Sequence, residues 1–360
     1  MGKVVLVTGV ARRLGARFAA GISNRPGIDR VIGVDTRSAA GAERAGYRFV
    51  QVDLRRPAIA RVIAEHEVDT VVHLDVSASG PGGRAAVKER NVIGTMQLLG
   101  ACQKAPGLRR VVVKSTTGVY GSAPRDPAVF GERMQPKNLP DGGFAKDATE
   151  VEGYLRGFAR RRPDVAVTVL RFANIIGSAG DTPLAEYFAL PVLPTVLGHD
   201  PRLQFVHEDD AVEVLRLAAL EPREGTTNTG TFNVAGDGVL LLSQCARRLG
   251  RPTVPLLRPA LGLVAALVRQ TRLVDISPEQ IGLLTHGRVV DTSRLRETFG
   301  YLPRFTTAEA FADFAAAQPT GLLPTDRLTA VTDGLARLLG PEPNHRPVPA
   351  DPAPNHPSRS

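Results

Sequence analysis

The stretch "KVVLVTGVARRLG", residues 3–15, decides the architecture. An apolar run ends on a Thr-Gly turn, and an amphipathic segment beginning "ARFAAGI" follows. A buried strand that turns through glycine into a helix opens a βαβ unit, and the first helical N–H groups then face an anion. Gly9 suits the tight turn, and Gly15 allows the helix to close on the strand. Arg12 occupies the place of the middle small residue. Its side chain prevents the closest backbone approach, but a guanidinium can meet a phosphate bidentately, and Arg13 is a second candidate. Taken alone, so degraded a glycine pattern also fits a plain βα turn.

Working outward, β-branched runs recur at 30–35, 48–53, 70–75, 110–115 and 166–171. Amphipathic stretches separate them, among them 58–67 and 91–105. Apolar strands alternating with helices predict an α/β fold: a Rossmann-like, doubly wound parallel sheet covered on both faces. Beyond residue 176 the pattern loosens into a smaller C-terminal substrate lobe. A Pro-rich segment (183–201) leads to "LQFVHEDDAVEVLRLAALEP", a strand entering a helix with Asp209 or Asp210 as its expected N-cap. "TFNVAG" (231–236), a helix over 240–250 and a strand–helix pair over 287–300 follow. The expected organisation is a dinucleotide-binding domain over 1–175 with returns near 203–236, and an interleaved substrate lobe over 176–315. A helical extension (316–340) and a Pro-rich, disordered tail (341–360) complete it.

The bulk properties narrow the function classes. The chain has 360 residues, 43% hydrophobic and 22% charged, ordinary values for a globular protein. A net charge of +9 invites a nucleic-acid reading. The basic runs, however, lie near apparent helix ends, where solvated cations suit the helix dipole, so no nucleic-acid partner is expected. "PALGLVAALVR", from Pro259, is shorter than the roughly 20 residues a membrane helix needs. Cys102 and Cys245 offer neither a disulfide framework nor metal-ligand spacing. The strand at the start leaves no room for a signal peptide, so a cytoplasmic location and no membrane partner are expected.

Asp35 ends the second strand about 20 residues after Gly15, where an acid hydrogen-bonds the adenosine ribose of NAD. A carboxylate repels a 2′-phosphate, which favours NAD over NADP, although the nearby Arg37 leaves some room for the latter. A turn-capping Asp is the plain alternative.

An ordered set of short motifs then accumulates: "VDL" (52–54), "VVHL" (71–74), "NVIGT" (91–95), "STTGVYG" (115–121), "LRFANIIG" (170–177), "FVHEDDA" (205–211) and "FNVAG" (232–236). Their order and spacing, over roughly residues 3–315, resemble the extended short-chain dehydrogenase/reductases. The likeness is to the NAD-dependent epimerase/dehydratase family and its UDP-glucose 4-epimerase-like branch. The resemblance implies NAD across the strand ends, a UDP-sugar beneath the C-terminal lobe, and a homodimer built on two helices per subunit. It implies cofactor contacts from Gly9, Arg12, Arg13, Leu14 and Gly15, from Asp53 and Leu54 beside the adenine, and from Leu74, Asp75 and Val76 along the pyrophosphate and ribose. Asn91 matches a residue that holds the cofactor region, and Asn174 a sugar-nucleotide contact. Thr116 matches the hydroxyl that meets the reacting sugar oxygen, and no metal is implied. Helix capping by Asn91 and an ordinary strand end at Thr116 are the plain alternatives.

The resemblance fails where the chemistry resides. The family's Tyr-x-x-x-Lys pair lies on one face of a helix, and counting back from Arg171 its positions here are Phe144 and Ala148. Glu152 falls on the family's following Glu, which supports this register. Using Lys146 requires a Tyr at Gly142, and Tyr154 lies roughly 15 Å further along the helix on a different face. Phe keeps the ring without the proton, and losing a general base typically costs about 10²–10⁴-fold. The candidate substitutes are Lys114, on the same side of its strand as Thr116, and Asp75, where the family has a small residue. Leu203 replaces an Arg that grips the sugar-nucleotide diphosphate, and Arg202 would need a bulge to substitute. His207, Glu208 and Asp209 read as a strand end and helix cap rather than metal ligands. Two functions follow: an NAD-dependent epimerase working through a 4-keto intermediate, or a non-catalytic binder of NAD(P) or sugar nucleotide on the same scaffold.

Overall fold

In a computed structural model of the chain, residues 2–39, 41–134, 142–178, 182–257 and 277–319 are described. The apolar stretch from Pro259, the tail, and the extension beyond residue 319 lie outside them.

Seven parallel strands form the central sheet. The six from the first half are β1 (Lys3–Thr8), β2 (Ile28–Asp35), β3 (Arg48–Gln51), β4 (Thr70–His73), β5 (Arg110–Thr116) and β6 (Ala166–Phe172). The seventh, Gly230–Val234, pairs with β6, and the order is Gly230–Val234, β6, β5, β4, β1, β2, β3. The chain therefore winds outward from β1 through β3, then returns to lay β4 on the other side of β1. The reversal opens a crevice between the carboxyl ends of β1 and β4, where ligands of such sheets bind.

Alternation in β1 builds both faces of the core. Val4 and Leu6 pack into one hydrophobic cluster, and Val5 and Val7 into another. Helix α1 (Arg13–Ser23) closes the second face with Phe18, Ala19 and Ile22, spaced to share one side of the helix. Helix α2 (Ala58–Glu65) covers the first with Ile59, Val62 and Ile63. A separate aromatic cluster holds the C-terminal lobe together, where Phe188 and Phe311 meet edge to face at 5.1 Å.

Several expectations shift, each for a local reason. Strand β4 stops at His73, short of Asp75, because the Leu74 and Asp75 amides donate to Thr8 Oγ1 at 3.1 and 3.3 Å instead of continuing the ladder. The helix expected over 91–105 starts earlier. It comprises α3 (Gly83–Glu89), a widened π turn (Arg90–Gly94) and α4 (Thr95–Gln103), with the Thr95 hydroxyl bonded to the Asn91 carbonyl at the turn.

The helix Glu208–Ala219 is capped by neither Asp209 nor Asp210. His207 is its N-cap, and the ring Nδ1 accepts the Asp209 N–H at 3.1 Å. Asp210 turns inward instead and accepts from Tyr301 Oη at 2.6 Å, Arg304 N at 2.9 Å and Phe305 N at 3.0 Å. Over 287–290 the expected strand shrinks to one bridge between Val290 and Phe130, because the Val290 amide donates to the Gln204 side chain at 2.9 Å.

Candidate functional site

At the crevice the first turn is as tight as its glycines suggest. Gly9 has φ +77°, and a methyl group on it would come within 3.0 Å of the Asp75 amide nitrogen. Gly15 brings α1 against the same turn. Arg12 is the helix N-cap but places no side-chain bond there, and the first turn carries no acidic residue. The leading N–H groups therefore present positive partial charge to the crevice.

The Asp35 carboxylate closes one end of this turn. It is buried, and accepts from the Ala11 amide at 3.0 Å and the Arg37 amide at 3.1 Å. Across Gly9 stands Asp75. Burial, with the charge of Asp35, pushes its carboxyl up to about 6, and Arg12, 3.9 Å away, offsets part of that rise. Arg12 also donates to the Ser79 carbonyl at 2.6 Å, which makes it a strut between the first turn and the loop after β4. Burial lowers its guanidinium from the ordinary value. Arg13 points elsewhere and forms a two-pronged pair with Glu208 at 3.0 Å on each prong. Asp53 is engaged by its neighbour Arg55, which holds its carboxyl below the usual range, and Leu54 is buried beside it.

A buried polar chain fixes the β4 side. Thr8 Oγ1 accepts two amide protons, so its own hydrogen goes to His73 Nδ1 at 2.7 Å. His73 Nε2 then donates to Thr95 Oγ1 at 2.8 Å, whose hydrogen goes to the Asn91 carbonyl. Each group in the chain is satisfied by a neutral imidazole, and burial with the nearby Lys114 drives the His73 pKa down to about 3. The Asn91 side chain clamps both sides of the Ser77 peptide at 3.0 and 2.9 Å and donates to Asp147 at 2.9 Å. Asp147 lies on α5 (Gly143–Arg161) and pairs with Arg84. Asn91 and Val76, both buried, thus hold the loop from beneath.

The mouth continues into a cavity of about 250 Å³. Arg12, Leu14, Lys114, Thr116, Phe144 and Asn174 all line it. Strand alternation brings Lys114 and Thr116 to the same side, with Ser115 turned inward onto Glu152 at 2.7 Å. Phe144 occupies the first turn of α5 and faces the cavity. Ala148, one turn on, is buried among Val119, Tyr120 and Phe130, away from it. Tyr154 lies on the outer side of α5, 38% exposed. Gly9, Gly15, Asp35, Leu74 and Asp75 flank the mouth, and Asp53 lies two residues past β3, next to Val52, whose amide donates to the Asp35 carbonyl at 3.0 Å.

Glu152 and Arg171 lock α5 to β5 and β6. Arg171 Nε donates to Glu152 Oε1 at 2.9 Å, and both side chains are almost fully enclosed. Breaking a buried pair costs about 3–5 kcal/mol. Glu152→Ala should therefore lower unfolding stability by that order in a urea titration, and a loss under about 1 kcal/mol would contradict the pairing.

Three cavity residues escape sequence reasoning. Arg84 donates to the Gly143 carbonyl at 2.6 Å. Arg288 donates to the Gly121 carbonyl at 3.0 Å and supplies a guanidinium where Leu203 cannot. Arg202 is turned outward onto Ala128. Glu279, from the helix Pro278–His286, accepts the Ala145 amide at 3.0 Å. Nothing in their local sequence marks them, because their partners lie far along the chain.

Comparison with known proteins agrees with this geometry. Residues 5–235 match the family described as the NAD dependent epimerase/dehydratase family. An uncharacterized protein of Mycobacterium tuberculosis is 48% identical over 329 residues, covering 89% of this chain and 85% of its own. Among solved structures, UDP-glucose 4-epimerase of Stenotrophomonas maltophila, with bound NAD and formylated UDP-arabinopyranose, superposes with a TM-score of 0.67 at 18% identity. That match covers 92% of this chain and 100% of the other. UDP-glucose 4-epimerase of Thermotoga maritima with UDP-glucose gives 0.65 at 19%, covering 87% and 98%. The ordered motifs, the reversal of the sheet between β4 and β1 and the family match converge: this chain is a member of the NAD dependent epimerase/dehydratase family.

Proposed function

We propose that this protein binds NAD at the β1–β4 crevice and a UDP-sugar in the adjoining cavity, and acts on the sugar through a 4-keto intermediate. The observation that carries the reading is the continuity of the two sites. Arg12 lies at the mouth, and Thr116, Phe144 and Asn174 line the same cavity. The residues present fit a dinucleotide: the uncapped first turn of α1 suits a pyrophosphate, and the Asp35 carboxylate suits a ribose diol. The structural relatives solved with NAD or UDP-sugars support the same assignment.

Bound NAD supplies an acceptor for hydrogen and its bonding pair. The chain's own residues do the rest. Arg12 offers charge to the phosphates, and Asn174 and Arg288 stand toward the sugar nucleotide. Asp35 favours NAD over NADP, because a second anion beside a buried carboxylate is repelled. Thr116 Oγ1 already accepts the Gly118 amide at 3.0 Å, which leaves its hydrogen to polarise a sugar oxygen. With Phe144 and Ala148 at the dyad positions, a non-catalytic NAD- and sugar-nucleotide-binding role is the second reading.

Calorimetry tests the first step. NAD should bind saturably, more tightly than NADP. Asp35→Ala should weaken it about 10- to 100-fold, the value of hydrogen bonds to a charged acceptor. No saturable affinity for either coenzyme, or an unchanged affinity in the variant, would remove the assignment. The same reading includes a homodimer, supported by Ile93, Met96 and Tyr154 exposed on neighbouring helical segments, and a cytoplasmic location. Among the described residues no helix is long and apolar enough to cross a membrane.

A further inference from the structure

We propose that Glu279 is the group that takes the proton of the reacting sugar hydroxyl, in place of the phenol absent at position 144. This rests on the reading that the cavity holds a UDP-sugar beside NAD. Glu279 arrives from the far lobe on a helix whose start is locked: Ser277 Oγ accepts the Gln280 amide at 3.3 Å, and the Gln280 side chain accepts the Ser277 amide at 2.9 Å. The Glu279 carboxylate has two distinct faces. Oε2 accepts the Ala145 amide and so caps α5 at the turn that carries Phe144. Oε1 is related to Thr116 only through Gly118: a methyl group placed there would sit 2.8 Å from Oε1, 3.1 Å from Thr116 Cγ2 and 3.3 Å from Thr116 Oγ1. The carboxylate and the hydroxyl therefore flank the same glycine, and both residues line the one cavity.

Neither earlier substitute is as well placed. Asp75 lies at the mouth with Arg12 and Gly9, outside the cavity lining. Lys114 lines the cavity, but an ammonium has no lone pair to receive a proton. The other charged groups on the cavity wall are Arg12, Arg84, Lys114, Glu186 and Arg288, and Asp126 lies within electrostatic reach of Arg288. Arg288 lines the same cavity wall as Glu279, and the charge of Glu279 offsets part of the fall that burial imposes on the Arg288 guanidinium.

The step balances. The hydroxyl O–H bond breaks and its proton passes to Glu279 Oε1. The electron pair left on oxygen forms the carbonyl, while the carbon gives up its hydrogen with the bonding pair to the oxidised nicotinamide of bound NAD. Return to the other face of the carbonyl reverses each transfer, and Glu279 gives the proton back.

The test uses the full chain with NAD, UDP-glucose and UDP-galactose. Glu279→Gln keeps an oxygen for the Ala145 amide and removes the proton acceptor. It should bind NAD and UDP normally and invert C4 about 10²–10⁴-fold more slowly than the native protein in a single turnover. Gly118→Ala pushes the carboxylate from its place and should slow inversion too, with folding intact. A second readout does not depend on turnover. The gain in affinity of UDP-glucose over UDP should be smaller in Glu279→Gln than in the native protein, because a carboxylate is the stronger acceptor for the sugar hydroxyl. Equal inversion rates in the native and Glu279→Gln proteins would overturn the assignment. So would a native protein that binds both ligands without inverting C4. Absence of saturable UDP-glucose binding would instead reject the underlying reading of the cavity, and the assignment with it.

Discussion

Gly15→Val should yield a protein that no longer binds NAD and is destabilised by about 1–3 kcal/mol, the scale of overpacking a tight interior. A Cβ at residue 15 would lie 2.2 Å from the Gly9 carbonyl oxygen, 2.8 Å from its carbon and 3.1 Å from Val10 Cα. All three are backbone atoms of the turn between β1 and α1, so no side chain can swing aside. Only opening the turn relieves the clash, and that separates the α1 N–H groups from the crevice. Gly21, on the same helix, is the control: a Cβ there meets nothing within 4 Å. Gly21→Ala should gain roughly 0.5–1 kcal/mol through helix propensity. Urea unfolding with NAD calorimetry separates the two, and normal NAD affinity in Gly15→Val would refute the close approach.

Asp75→Asn should tighten NAD binding at neutral pH and flatten its pH dependence. Asp75 is a carboxyl in the mouth of the proposed pyrophosphate site, and its pKa of about 6 is raised above the ordinary 3.8 by burial first and by Asp35 second. Its folded-state pKa exceeds the unfolded value, so the folded protein holds this proton more tightly. Stability from this group is therefore fully present below about pH 4 and declines as pH rises toward 6. A shift of about two units corresponds to about 3 kcal/mol, of which the variant should recover part, since it leaves Arg12 without its carboxylate. NAD affinity in the native protein should likewise rise as pH falls from 7 to 5, because the protonated form no longer repels a pyrophosphate. A native affinity that falls on acidification, matched by the variant, would contradict this electrostatic account.

Much of the fold was legible because its signals are local. Alternation in "KVVLVT" specifies a strand buried on both faces, and Gly9 with Gly15 specifies the turn that follows. The loss of a Tyr–Lys pair was equally plain, since Phe144, Ala148 and Glu152 share one helical period that the structure reproduces. Cap assignments fared less well. His207 displaced Asp209 and Asp210 because an imidazole acceptor and an acid are interchangeable at a helix start until the tertiary partners are known. Asp210 had such partners in Tyr301 and the Arg304 and Phe305 amides.

From the chain alone came the winding of the sheet, the place of the tight Gly9–Gly15 turn and the absence of a phenol at residue 144, all properties of short periods and turn chemistry. Tertiary structure decided which charges meet. It turned Arg12 toward Ser79 and Asp75 and Arg13 toward Glu208. It threaded Thr8, His73, Thr95 and Asn91 into one satisfied chain, and carried Glu279 across 134 residues to the Ala145 amide. Such pairings are set by how distant segments close on one another, and no local repeat or turn signal encodes that closure.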